Sequence, residues 1–128
     1  MAVGDFPETA AGSGGGSGDA AVRRYGQILR VRPERREEYI RHHQAVWPEV
    51  RQALARAHIR NYSIFLFGDL LFGYFEYSGR DFAADMARLA EDGKTQEWWA
   101  LMQPMQAPVE GRREGEWWAD MREVFHMD

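Results

Sequence analysis

The stretch Ile59-Arg-Asn-Tyr-Ser-Ile-Phe-Leu-Phe67-Gly68-Asp69-Leu70-Leu-Phe-Gly-Tyr-Phe-Glu-Tyr77 reads as two aromatic-rich strands joined by a tight turn. Glycine at the first central position permits the positive φ of a type II′ turn, so Gly68-Asp69 predicts a β-hairpin. Within the first strand, Tyr62, Ile64 and Leu66 share one face, while Asn61, Ser63, Phe65 and Phe67 share the other. Both faces are substantially apolar. A sheet covered by helices on one side needs only one such face, so the second side is expected to meet another sheet, from a second copy of the chain.

Upstream of the hairpin, Tyr25, Gln27, Leu29 and Val31 alternate with Gly26, Ile28 and Arg30, predicting a strand over Arg24–Arg32 that Pro33 stops. Glu34, Glu37 and Glu38 then place negative charge at the start of a helix expected over Glu34–Ala57. Pro48 interrupts that helix and predicts a kink or a restart beside Trp47. Its interior cost of about 3 kcal/mol suggests a turn shaped for a purpose. Downstream, Phe82, Met86 and Leu89 keep helical spacing behind a cap from Ser78 or Asp81. Glu91-Asp-Gly-Lys94 breaks that helix, and Thr95–Gln103 predicts a further short one ending before Pro104. A polar connection with Pro108 and Gly111 leads to a last strand over Trp118–Met127. The order is β-α-β-β-α-β with one added helix, an α+β ferredoxin-like arrangement: an antiparallel sheet with helices on one face. Dimerisation is the simplest way to cover the other.

The chain has 128 residues, enough for one domain with its own core, expected over residues 22–128. Ahead of it, Met1–Ala21 contains Ala11-Gly-Ser-Gly-Gly-Gly-Ser-Gly-Asp19, a linker composition expected to be disordered. There is no cysteine, so no disulfide and no thiolate metal site, which suits a reducing, cytoplasmic compartment. The net charge of −4, with both signs interspersed, argues against a nucleic-acid partner. No apolar run reaches the roughly 18–20 residues of a membrane span, and no signal-peptide pattern opens the chain. His42, His43, His58 and His126 have no zinc-ligand spacing. Gly12–Gly18 lacks the Lys-Ser/Thr of a phosphate loop. No metal site is expected.

Chemically capable residues concentrate in Tyr39-Ile-Arg-His-His-Gln-Ala-Val-Trp47-Pro-Glu49. Tyr39, His43 and Trp47 recur every four residues, which on a helix stacks a phenol, an imidazole and an indole along one ridge. Such a ridge suits a small polar-and-apolar molecule, with the imidazole moving protons near neutral pH. The same spacing, continued through Val50 and Leu54, also describes a buried stripe in which His43 is a hydrogen-bonded core residue. Further on, Trp98 and Trp99 cannot both enter one narrow stripe, so at least one is expected at a groove or interface.

Taken together, Tyr39-x3-His43-x3-Trp47-Pro48-Glu49, Asn61-Tyr62-Ser63-Ile64, Trp98-Trp99-x2-Met102 and Glu123-Val124-Phe125-His126 resemble the L-rhamnose mutarotase family, in order and at compatible spacing from Tyr25 onward. The resemblance implies a dimeric α/β barrel of ferredoxin-like subunits that interconverts the α and β anomers of a 6-deoxy-hexose without metal or organic cofactor. It implies that His43 is the proton donor and that Tyr39, Tyr62, Trp98 and Trp99 bind substrate. Trp47 joins them as an aromatic surface for the apolar side of a deoxy-sugar. General acid and base groups suffice for opening and reclosing the hemiacetal ring; Tyr39 and Tyr62 are candidates for the second proton-transfer group, and Glu76 and Glu123 are further ones, although for these two strand carboxylates solvent exposure or a structural ion pair is the favoured reading. Glu110–Asp120, with Glu116-Trp117-Trp118, is longer and more aromatic than in the rhamnose enzymes, and related proteins act on L-fucose. L-Rhamnose is the first expectation and L-fucose the alternative. Dimeric ferredoxin-like barrels also host cofactor-free monooxygenases, and a non-catalytic sugar-binding module is a third reading.

Overall fold

A computed structural model describes residues 21–128, so all but the last residue of the expected disordered segment Met1–Ala21 lies outside the described residues. The sheet is built on β1 (Arg23–Val31), which pairs antiparallel along all but its last residue with β3 (Leu70–Tyr77), from Arg23 opposite Tyr77 to Arg30 opposite Leu70. β2 (Ile59–Phe67) pairs antiparallel with β3 as the other arm of the hairpin. Gly68 has φ +61° while Asp69 keeps a negative φ, the combination a type II′ turn requires. The second edge of β1 is shared by two short strands, β4 (Gln106–Ala107) at Arg30–Val31 and β5 (Ala119–Met121) at Gly26–Ile28. The strand order β2-β3-β1-β4, with β5 beside β4 on β1, is the ferredoxin-like order.

Among the described residues, four helices cover one face: α1 (Arg36–His43), α2 (Pro48–Arg56), α3 (Phe82–Glu91) and α4 (Gly93–Met102). Alternation along the strands sorts the residues. Tyr25, Gln27, Leu29 and Val31 of β1 and Leu71, Phe75 and Tyr77 of β3 face the helices and are buried against Val50, Phe82, Met86, Leu89, Trp98 and Trp99. Asp81 caps α3, accepting from the Ala84 N–H at 3.1 Å, so of the two capping candidates Asp81 serves and Ser78 does not. On the opposite face Phe65 is 64% and Phe67 78% exposed, the second apolar face read from the hairpin.

The restart expected beside Trp47 is found at Pro48, and other expectations are corrected. The helix expected over Glu34–Ala57 is a 3₁₀ turn (Pro33–Arg35) followed by two helices separated at Gln44–Trp47. Pro48 stands in the first turn of α2, where its missing N–H would have had no partner, so no interior cost is paid. The last strand, expected over Trp118–Met127, is confined to Ala119–Met121. Beyond Met121 the chain follows β1 without ladder hydrogen bonds, and Arg24 donates twice to the Glu123 carboxylate instead, both at 3.1 Å. Val124, Phe125 and Met127 are left exposed. The connection after Pro104 holds β4, missed because a two-residue strand has no periodicity to read.

Candidate active site

Between the helix layer and the edge strand β2 lies a cleft of about 470 Å³, within the range of small-molecule sites. His43 from α1, Val46 from the turn, Val50, Arg51 and Leu54 from α2, Arg60, Asn61, Tyr62 and Ile64 from β2, and Thr95, Trp98 and Trp99 from α4 line it. The cleft exists because β2 is an edge strand whose helix-facing side is only partly covered: Tyr62 and Ile64 are half-buried there, whereas Leu71, Phe75 and Tyr77 on the same face of β3 are fully buried.

A β-bulge aims Tyr62. The register shifts between Arg60 and Ser63, so Asn61 and Tyr62 together oppose Phe75, and Asn61 takes φ +47°. Asn61 tolerates that left-handed conformation and donates its side-chain N–H to Glu76 at 2.7 Å. The Tyr62 ring is thereby directed to the helix side, edge-on to Phe75 with centroids 5.6 Å apart.

His43 ends α1. Its Nδ1–H donates to the Tyr39 carbonyl, one turn earlier, at 2.9 Å. That bond assigns the hydrogen of the neutral ring to Nδ1 and leaves Nε2 as the nitrogen available to a ligand. The ring stacks on Tyr39 with centroids 4.2 Å apart and meets Trp98 edge-on at 5.5 Å. Burial holds its pKa below the ordinary histidine value, and neighbouring His42 adds to this, while the bond to the Tyr39 carbonyl partly opposes it. At neutral pH His43 is therefore an uncharged base.

Of the other sequence-predicted site residues, Trp98 and Trp99 are both buried and both line the cleft. Tyr39 is 3% exposed and stands behind His43 rather than on the wall; its hydroxyl accepts from Gln106 Nε2 at 3.1 Å. Gln106 Oε1 in turn accepts from the Trp117 indole N–H at 2.8 Å, so the aromatic segment near the carboxyl end is tied to the support of His43. Trp47 is not on the ridge with Tyr39 and His43. Preceding Pro48, it takes an extended conformation, φ −58° and ψ 133°, which carries its ring to the edge of Trp98 at 5.2 Å, with Lys94 Nζ 5.8 Å from its centroid. Glu76 and Glu123 lie away from this cleft. Glu76 accepts from Asn61 and Tyr74, both at 2.7 Å, and Glu123 pairs with Arg24.

Sequence reasoning missed Arg51, Arg60, Asn61 and Thr95 as cleft residues. Thr95 had a signal, since Asp92 three residues earlier forms a cap, accepting from the Thr95 N–H and hydroxyl at 2.9 and 2.8 Å. Neither arginine belongs to a pattern that marks it out.

Comparison with known proteins identifies the family and the fold. The family model described as L-rhamnose mutarotase matches residues 24–127. The L-rhamnose mutarotase of Oceanobacillus iheyensis is 34% identical over 115 residues, covering 84% of this chain and 100% of the relative. That of Lactiplantibacillus plantarum is 33% identical over 105 residues, covering 82% and 98%. The crystal structure of an L-rhamnose mutarotase from Formosa agariphila shares the fold, with a TM-score of 0.64 at 24% identity over 82% of this chain and 98% of that one. On the match across its folded length and the identity to these relatives, the chain belongs to the L-rhamnose mutarotase family.

Proposed function

We propose that the protein is an isomerase that interconverts the α and β anomers of L-rhamnose, with His43 as the proton-transfer group. The observation that carries this reading is the His43 Nδ1–H bond to the Tyr39 carbonyl beside a cleft floored by Tyr62 and walled by Trp98 and Trp99. Nε2 of neutral His43 takes the proton of the anomeric hydroxyl as the ring C–O bond breaks. The ring oxygen gains a proton from a second donor, for which Tyr62 is the group in the same cleft. The resulting aldehyde turns about the C1–C2 bond. Closure on its other face reverses both transfers, His43 now donating. Trp98 and Trp99 offer apolar surface to the ring hydrogens and methyl group, while Tyr39 holds the imidazole in place.

Exchange between anomers, measured by saturation-transfer NMR on L-rhamnose and L-fucose side by side, tests the reading. Acceleration with L-rhamnose preferred is the expected result. Faster exchange of L-fucose would favour the second reading, which the contact of Trp117 with the Gln106–Tyr39 pair supports. Binding without acceleration would mark a sugar-binding module, and oxygen consumption a monooxygenase of the same fold. The working form is proposed to be a cytoplasmic homodimer, closed through the sheet face that carries Phe65 and Phe67. Among the described residues, no helix is long and apolar enough to cross a membrane.

A further inference from the structure

Three side chains on the helix side of the sheet carry buried polar atoms without a hydrogen-bond partner among the described residues, the Tyr25 hydroxyl and, side by side, Gln27 and Trp118. Gln27 is 0% and Trp118 1% exposed, and neither Gln27 Nε2, Gln27 Oε1 nor Trp118 Nε1 has a hydrogen-bond partner among the described residues. A buried donor or acceptor left unmade carries its full desolvation penalty, and nearly every such group in a folded protein is satisfied. Packing alone would be better served by an apolar residue, as at the adjacent buried positions Leu29 and Leu71.

Their location gives them a use. Gln27 of β1 is directly opposite Gly73 of β3, and Gly73 is directly opposite Ile64 of β2, a residue that lines the cleft. The three form a row across neighbouring strands on one face of the sheet. Gly73 contributes no side chain, and Gln27 and Trp118 fill the space above it: a Cβ built there would lie 3.2 Å from Gln27 Cγ, 3.3 Å from Trp118 Cζ3 and 3.5 Å from Gln27 Nε2. The carboxamide has thus crossed from its own strand to the middle one. One strand spacing, about 5 Å, separates it from Ile64, with no side chain rooted between them.

We infer that the Gln27 carboxamide and the Trp118 indole N–H form the inner polar wall of this cleft and hydrogen-bond ring hydroxyls of the sugar. Both stand one row inside the residues that line the cleft, and rotation of the unbranched Gln27 side chain over Gly73 would carry its amide toward Ile64 on the cleft wall. Together the two side chains offer one carbonyl acceptor, two amide N–H donors and one indole N–H donor, a set that matches hydroxyls, which both donate and accept. Because L-rhamnose and L-fucose differ in hydroxyl orientation, these groups would discriminate between them, which stacking on Trp98 and Trp99 cannot do. The inference rests on the proposed mutarotase activity and names specificity-determining residues for it.

The test uses the full chain with Gln27→Leu, Gln27→Met, which keeps the side-chain length, and Trp118→Phe, which removes the N–H while keeping an aromatic ring. Anomer exchange is measured on L-rhamnose and on its 2-, 3- and 4-deoxy derivatives, with melting temperatures in parallel. The expected result is unchanged or higher melting temperature for the Gln27 variants, because orphaned polar atoms are removed. Their kcat/KM on L-rhamnose should fall by about tenfold or more, and the deficit should vanish on the one deoxy sugar that lacks the recognised hydroxyl. Trp118→Phe should behave likewise on the hydroxyl it contacts. Wild-type efficiency in both Gln27 variants, or an equal loss on every sugar, would overturn the inference while leaving the mutarotase reading intact. A wild-type protein that accelerates no exchange would refute the mutarotase reading and this inference with it.

Discussion

Replacing His43 by asparagine separates proton transfer from architecture. The Asn amide places an N–H near the position of Nδ1, so the bond to the Tyr39 carbonyl, 2.9 Å in the native protein, can persist while Nε2 is lost. What the fold gives up is the ring's contact with Tyr39 at 4.2 Å and with Trp98 at 5.5 Å. Aromatic contacts of this kind are worth about 0.5–1.5 kcal/mol each, so the loss is about 1–3 kcal/mol in total. Against the roughly 5–15 kcal/mol that holds a domain together, His43→Asn should fold. A positioned acid–base group contributes roughly 10²–10⁴-fold, equivalent to about 3–5 kcal/mol of barrier. Exchange of L-rhamnose anomers should therefore fall by at least about a hundredfold, in a protein whose melting curve stays cooperative. His42→Ala is the control: His42 sits next in sequence, pairs with Glu38 at 3.7 Å in a partly exposed contact of little worth, meets Trp98 edge-on at 6.3 Å, and does not line the cleft. Saturation-transfer NMR on the two variants and the wild type decides the matter. Exchange in His43→Asn above a tenth of the wild-type rate, or an equal loss in His42→Ala, would refute the role assigned to Nε2.

Three further outcomes follow from other contacts. Because burial depresses the His43 pKa, the folded protein binds fewer protons than the unfolded chain below the ordinary histidine value of about 6.5. His43's contribution to stability is complete above that pH and is lost as pH falls through the depressed value; exchange should hold from pH 8 to about 6.5 and decline only below it, and a decline centred above about 7 would contradict the assignment. Asp85, 3% exposed, accepts from the Tyr77 hydroxyl, from His58 Nδ1 at 3.1 Å and from Arg88, joining β3, α3 and the residue before β2. Asp85→Ala should cost about 2–3 kcal/mol in urea denaturation, less than the roughly 3–5 of a fully buried pair because His58 and Arg88 reach solvent, and a cost under about 1 would show the cluster to be incidental. Phe67→Asp, at a position 78% exposed on the open sheet face, should turn a dimer into a monomer by light scattering; a wild-type monomer at micromolar concentration would remove the basis for the proposed dimer.

What could be learned from the sequence by itself is what local periodicity and turn chemistry encode. Alternation marked β1, β2 and β3, and Gly68-Asp69 joined the last two in the correct register, because a two-residue turn leaves little choice of pairing. The four-residue step from Tyr39 to His43 and the Trp98-Trp99 pair were legible for the same reason: each lies within a single helix, where spacing dictates direction. Trp47, one further step along, was misdirected once Pro48 ended that regularity, and its partner was decided by the packing of α4. Tertiary structure alone decided which face received the cleft, the bulge that turns Tyr62 inward, and the displacement of Glu76 and Glu123 from the site. It also decided where the last strand stops. Gln27 looks like one more alternating strand residue until Gly73, 46 positions away, is seen to leave space above it. Likewise Gln106 looks like loop until it is found between Tyr39, 67 positions away, and Trp117. Hydrogen-bond satisfaction and burial depend on neighbours brought together only when strands and helices close over one another, and nothing in the spacing of adjacent residues carries that information.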